Sequence, residues 1–135
     1  MSQAGSNNAG AIPPGTIPVI NIPGATFNAN ATGVSTCFTT GNSSFFATTL
    51  LFTNITYNGS GSNFTYNLGW TGPTYTDIKS DDTYSWSTQG SISFDSAFQT
   101  SGQLIPANST VKIDITSADS STISTGQISV IGYYL

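Results

Sequence analysis

The stretch FTYNLGW, Phe64 to Trp70, sets Phe64, Tyr66, Leu68 and Trp70 at alternate positions, with Thr65, Asn67 and Gly69 between them. Successive side chains of a strand point to opposite faces, so this spacing predicts a half-buried strand with one apolar face. TVKIDIT, Thr110 to Thr116, repeats it: Val111, Ile113 and Ile115 alternate with Lys112 and Asp114. From about Thr26 onward the chain continues as short runs of this kind, separated by Gly, Asn, Ser and Asp clusters, and no stretch has helical periodicity. That is the pattern of an all-β protein, an antiparallel β-sandwich; about eight strands in this length suggest a jelly roll.

Two segments depart from simple alternation. FFATTLLFTNITY, Phe45 to Tyr57, is long and apolar on both faces near Leu50 to Phe52, so it is expected to bend, to cross between sheets or to lie at a subunit contact. NGSGSN, Asn58 to Asn63, reads as a hairpin turn into the next strand. The closing run QISVIGYYL carries Ile128, Val130 and Tyr134 on one face and Ile131, Tyr133 and Leu135 on the other, which predicts a terminus buried in the protein or between subunits.

Ahead of the sandwich lies AIPPGTIPVINIPG, Ala11 to Gly24, with Ile12-Pro13, Ile17-Pro18 and Ile22-Pro23 five residues apart. Each proline fixes φ, removes a donor and drives the preceding residue into the extended region, so the segment is neither a helix nor a central strand. A polyproline-like ribbon of this length reaches roughly 40 Å, beyond the radius of a small domain. Something else must cover its isoleucines. The chain therefore divides into an extended docking arm, residues 1–25, and a sandwich, residues 26–135. Ile12, Pro13, Ile17, Pro18, Ile20, Ile22 and Pro23 are the expected contacts with a partner.

Composition narrows the function. Of 135 residues only 6% are charged, against a usual figure near 25%. Ser, Thr, Asn and Gly supply the polar surface instead. With Lys79 and Lys112 the only cations and a net charge of −4, the chain has no positive field for a phosphate backbone, so nucleic-acid binding is not expected. No apolar run approaches the ~20 residues of a membrane-spanning helix, and no signal-peptide pattern opens the sequence, so no membrane partner is expected and synthesis in a cytoplasm is. Cys37 is the single cysteine and is read as a small hydrophobe on a strand. Few charges leave strand edges prone to association, so a homo-oligomer, a trimer, is expected.

The chain has no histidine, and its six acidic residues are all aspartates: Asp77, Asp81, Asp82, Asp95, Asp114 and Asp119. It cannot assemble a Ser-His-Asp or Cys-His centre, and a glycosidase would need two aspartates poised across one bond. No enzymatic activity, cofactor or metal is expected. Asp77, Asp81 and Asp82 are the oxygen donors a hard cation could use, but the Asp-x-Asp-x-Asp-Gly loop is missing, and Asp81-Asp82 reads as a solvated turn. Six Asn-x-Ser/Thr sequons, at Asn30, Asn42, Asn54, Asn58, Asn63 and Asn108, follow from composition. Ligand contact is best sought in GWTGPTYTDIKSDDTYSW, Gly69 to Trp86, where Trp70, Tyr75, Tyr84 and Trp86 could stack on a sugar ring. The competing reading places Trp70 and Trp86 at strand ends, in the core or at a subunit interface.

A low-charge, Ser/Thr/Asn/Gly-rich β-domain with a Pro-rich arm and a closing strand such as STGQISVIGYYL resembles the small virion proteins of tailed bacteriophages, the capsid decoration (cement) proteins and the heads of tail fibres. The closing strand also resembles, faintly, that of trimeric jelly rolls of the complement and tumour-necrosis-factor type. The phage resemblance is one of style over the whole chain, and it transfers no functional residue. It implies a structural protein of the virion, assembled in the host cytoplasm, whose arm docks on the major capsid protein, on another virion protein or on a neighbouring copy. The alternative it implies is an adhesin head that touches host glycans through the aromatic segment.

Overall fold

The computed structural model describes residues 18–58, 63–85, 93–94 and 102–135, and among them every regular element is a strand. The strands are β1 (Ile20–Ile22), β2 (Thr26–Asn28), β3 (Gly33–Thr39), β4 (Phe45–Tyr57), β5 (Asn63–Gly69), β6 (Lys79–Ser85), β7 (Ser93–Phe94), β8 (Gln103–Ile105), β9 (Thr110–Ser117) and β10 (Ser124–Tyr134). One sheet runs β1, β10, β4, β7, with β2 also on β10 and β8 also on β4; the other runs β3, β9, β5, β6. All pairs are antiparallel.

β1 and β2 lie end to end along β10, and β7 and β8 lie along β4, so each pair acts as one strand. Counted that way, eight strands remain. The first pairs with the eighth, the second with the seventh, the third with the sixth and the fourth with the fifth. A long hairpin rolled into two facing sheets gives this order, and the sandwich is a jelly roll.

The alternation of FTYNLGW and TVKIDIT survives in three dimensions. Phe64, Tyr66 and Leu68 of β5 and Val111, Ile113 and Ile115 of β9 are buried, and Trp70 packs half-buried at the end of the row. They meet Phe27, Phe52, Ile128 and Val130 from the six-stranded sheet. Phe52 is the hinge of this core, with ring centroids 6.2 Å from Phe27, 6.2 Å from Phe64, 5.8 Å from Tyr66 and 4.4 Å from Tyr84. These tilted and edge-on contacts join both sheets through one residue.

β4 carries apolar residues on both faces, and its inward phase is reset twice. Buried positions run Phe45 and Ala47, then Leu50 and Phe52, then Ile55. The register against β10 slips between Ile131 and Gly132, which leaves Thr48 unpaired, and again between Thr125 and Gln127, where Asn54 adopts φ 51°. Each bulge inserts one residue and bends the strand, so β4 stays within one sheet and curves around the core. The turn expected at Asn58 to Asn63 is a different matter. β4 and β5 belong to opposite sheets and do not pair, so the two strands form no hairpin, and residues 59–62 between them lie outside the described residues. The Gly- and Asn-rich composition of that stretch signals a reversal without saying which strand pairs with which.

The last part of the expected arm is built into the sandwich. Ile20 and Ile22 oppose Gly132 and Val130 and pack partly buried against the core. Pro18 and Pro23 flank β1 outside its paired residues Ile20–Ile22, so their missing N–H groups cost no ladder bond. At Gly24 the edge strand passes so close to β10 that a Cβ would overlap the Ile128 carbonyl. The chain end is also held: Leu135 N–H donates to Ser44 O at 2.9 Å, Gly41 N–H donates to the Tyr134 hydroxyl at 2.8 Å, and the Tyr134 ring packs 4.9 Å from Phe45.

Candidate functional site

The aromatic segment leaves β5 at Gly69 and returns as β6, forming a loop over one end of the four-stranded sheet. A side chain at Gly69 would meet Asp77 N and Oδ2 at 2.5 Å, so the loop can fold back only over a glycine. Asp77 then fastens it: Oδ2 accepts the N–H groups of Trp70 and Thr71, each at 2.7 Å. Tyr75 N–H donates to Thr71 O at 2.8 Å, Ile78 N–H donates to Leu68 O at 2.9 Å, and Gly72-Pro73 is cis. Slight burial of the Asp77 carboxyl acts to raise its pKa, but the N–H groups of Thr71 and Trp70 and the Thr71 hydroxyl outweigh it and hold the group below its ordinary value.

Trp70, Tyr75, Tyr84 and Trp86 are the residues of this segment expected to contact a ligand. Trp70 is half-buried and packed against the core, and so is Tyr84, whose ring lies over Phe52. Tyr75, with φ 55°, stands in the loop with Lys112 Nζ 5.7 Å from its ring centroid. Trp86 lies outside the described residues. The structure thus brings Trp70 and Tyr75 into one fastened loop and turns Tyr84 toward the interior.

Of the neighbouring aspartates, Asp82 engages the protein through its carboxylate and Asp81 through its backbone. Asp81 and Asp82 belong to strand β6, not to the solvated turn expected for them. Asp81, at φ 50°, sits where the β5–β6 register slips, and its N–H donates to Asn67 Oδ1 at 2.7 Å. Asp82 accepts the hydroxyl of the buried Tyr66 at 2.8 Å and has Lys79 Nζ at 3.8 Å. Lys79, Asp81 and Asp82 lie on β6, the outermost strand of its sheet among the described residues, and Asp77 lies in the loop that leads into it. Charge and a bulge on an edge strand oppose further strand addition, which gives them a structural use.

Of the arm residues, Ile20 and Ile22 face the core, Pro18 and Pro23 are exposed, and Ile12, Pro13 and Ile17 lie outside the described residues. Cys37 is buried on β3; burial pushes its thiol up to about 12, against a smaller lowering by a backbone hydrogen bond with Ile113. It packs as a hydrophobe and is no nucleophile at neutral pH.

One surface was not picked out from the sequence as a site. Phe46, Leu51, Ile131, Tyr133 and Leu104 alternate with buried residues along β4, β10 and β8 and project from the outer side of the six-stranded sheet. Phe46 and Tyr133 are cross-strand partners with ring centroids 5.5 Å apart, and Leu104 is 49% exposed. Its signal was present in the two-faced apolarity of β4 and β10.

No family model matches the chain, and no curated protein matches it in sequence. Among solved structures, a chain described as "Cyanophage Pam1 capsid asymmetric unit" shares the fold, with a TM-score of 0.61 at 19% identity. The match covers 96% of this chain and 98% of that one.

Proposed function

We propose that this protein is a structural component of a bacteriophage virion, a decoration (cement) protein that binds the outside of the capsid and stabilises the shell. The observation that carries the reading is the end-to-end likeness to a chain of a capsid asymmetric unit. Because the match covers nearly all of both chains, the likeness extends over the whole sandwich and not over a part of it. The fastened loop at Trp70 to Ile78, the engaged aspartates and the buried thiol agree with a role that needs contact area and no reaction.

In this reading the arm ahead of Ile20 is the fastening. Ile12 and Ile17 fill apolar grooves on the major capsid protein or another virion protein, and Pro13 and Pro18 reduce the entropy lost when the segment orders. The folded unit is an oligomer, a trimer, bridging neighbouring capsid subunits in particles assembled in the host cytoplasm. Many repeated contacts then restrain the shell against internal pressure.

The test is truncation combined with counting. Deleting residues 1–17 spares β1 and is expected to leave the sandwich folded while abolishing co-sedimentation with purified shells. Undiminished binding after truncation would remove the arm from the reading. Quantitative mass spectrometry of particles is expected to give about one copy per few capsid subunits. A yield at tail-fibre levels would move the role to a glycan-binding adhesin head and to the fastened loop that carries Trp70 and Tyr75.

A further inference from the structure

The two outer faces of the sandwich differ in kind. The four-stranded sheet carries Lys79, Asp81, Asp82, Lys112 and Asp114 on its strands. None of the six strands of the other sheet contains a charged residue. Its outer side presents Phe46, Leu51, Leu104, Ile131 and Tyr133, half-buried or exposed, beside the half-buried Thr53, whose hydroxyl bonds the buried Ser129 at 3.1 Å. A face that is rich in aromatic and aliphatic groups and empty of charge has the make-up of an interface centre.

We propose that neighbouring copies of this chain meet through the outer face of the six-stranded sheet, which would give the proposed decoration protein the contact that closes its oligomer. Charge favours a second copy as the occupant. Each copy carries −4, so copies repel least where neither brings charge, and the strands of this sheet bring none. Chain geometry agrees. The sequence ahead of the sheet joins it at its edge strand β1, where Val19 is 74% exposed, and the C-terminal Leu135, 64% exposed, ends the adjacent β10. The 17 residues ahead of Pro18 span roughly 50 Å when extended. The sheet is four strands wide, about 15 Å between its outermost strands. The segment bearing Ile12 and Ile17 is long enough to cross a neighbouring copy's sheet as well as to reach beyond it.

The experiment is the mass of the full chain in solution, by size exclusion with light scattering, for the unsubstituted protein and for Leu51→Lys/Ile131→Lys. The unsubstituted protein is expected at a multiple of 14.0 kDa and the double variant at 14.0 kDa, with an unchanged far-ultraviolet spectrum. Thr116→Lys, exposed on the opposite sheet, should keep the multiple. If the double variant does not fold, Leu104→Ser replaces it, with association weakened at least tenfold. An unsubstituted protein that runs as a single chain overturns the proposal, and so does a folded double variant that keeps its mass. Shell binding separates the two readings. A single-chain protein that still binds shells leaves decoration standing without this interface. An oligomer that dissociates on substitution but never binds shells leaves the interface without decoration.

Discussion

At the scale of single residues, Cys37 and Asp77 ionise under opposite influences. Burial raises the Cys37 thiol to about 12, whereas an unfolded cysteine ionises near 8.5. The sign follows: the unfolded chain releases this proton first, so the contribution to stability is complete below about pH 8.5 and falls as pH rises toward 12. At pH 10 the loss should be about 2 kcal/mol, from roughly 1.4 kcal/mol per unit. Cys37→Ala should lack that alkaline loss, as read from urea midpoints of both proteins at pH 7 and 10, and an aromatic disulfide reagent should label the native thiol only after unfolding. Asp77 is held below its ordinary value, so its contribution is present above about pH 4 and disappears as pH falls through the folded value. Asp77→Ala removes the acceptor of two backbone N–H groups and should cost about 1 kcal/mol at pH 7. Amide exchange at Trp70 and Thr71 should quicken in that variant, and its stability should converge with the parent's at low pH.

At the scale of elements, strands whose partners lie on one regular face were legible before any fold was known. Phe64 to Leu68 and Val111 to Ile115 alternate because nothing interrupts their inward row. β4 hid its inward face because the bulges at Thr48 and Asn54 shift the phase, and a bulge is defined by the opposing strand, more than 70 residues away in sequence. The same reason explains Asn58 to Asn63: a local turn signal carries no information on whether the following strand pairs with β4 or crosses to the other sheet. Asp81 was misplaced in a turn because an aspartate in a left-handed conformation is at home in turns and in bulges alike. The aromatic segment was legible by residue type, yet its orientation was not, and Tyr84 went inward to Phe52. Asn54 offers a test of the bulge. Asn54→Val places a β-branched side chain at φ 51° and should cost about 1–2 kcal/mol, whereas Asn54→Gly should cost less because glycine keeps the backbone and loses only the contact with Gln127. Chemical denaturation of the two variants decides the order.

At the scale of the whole molecule, a low total charge is less important than where the charge lies. The strands of one sheet carry none, and half of all charged residues lie on β6 or in the loop before it, at the outermost position of the other sheet among the described residues. An uncharged edge strand in such a protein would be a template for pairing with any other exposed strand. On β6 the bulge at Asp81 and the charges of Lys79, Asp81 and Asp82 oppose it, so that in the proposed oligomer this strand stays out of the contact between copies. Removing the protection should therefore change how the protein associates and not whether it folds. Asp81→Asn/Asp82→Asn halves the net charge to −2, keeps an oxygen to accept the Tyr66 hydroxyl and suits the left-handed position, since asparagine adopts it readily. Circular dichroism and the thermal midpoint should stay close to the parent's. Static light scattering should show open-ended growth at concentrations where the parent holds a fixed mass, and added salt should bring the parent nearer to the variant by screening the same charges. If the variant instead held the parent's fixed mass at every concentration, edge protection would have to come from the bulge alone.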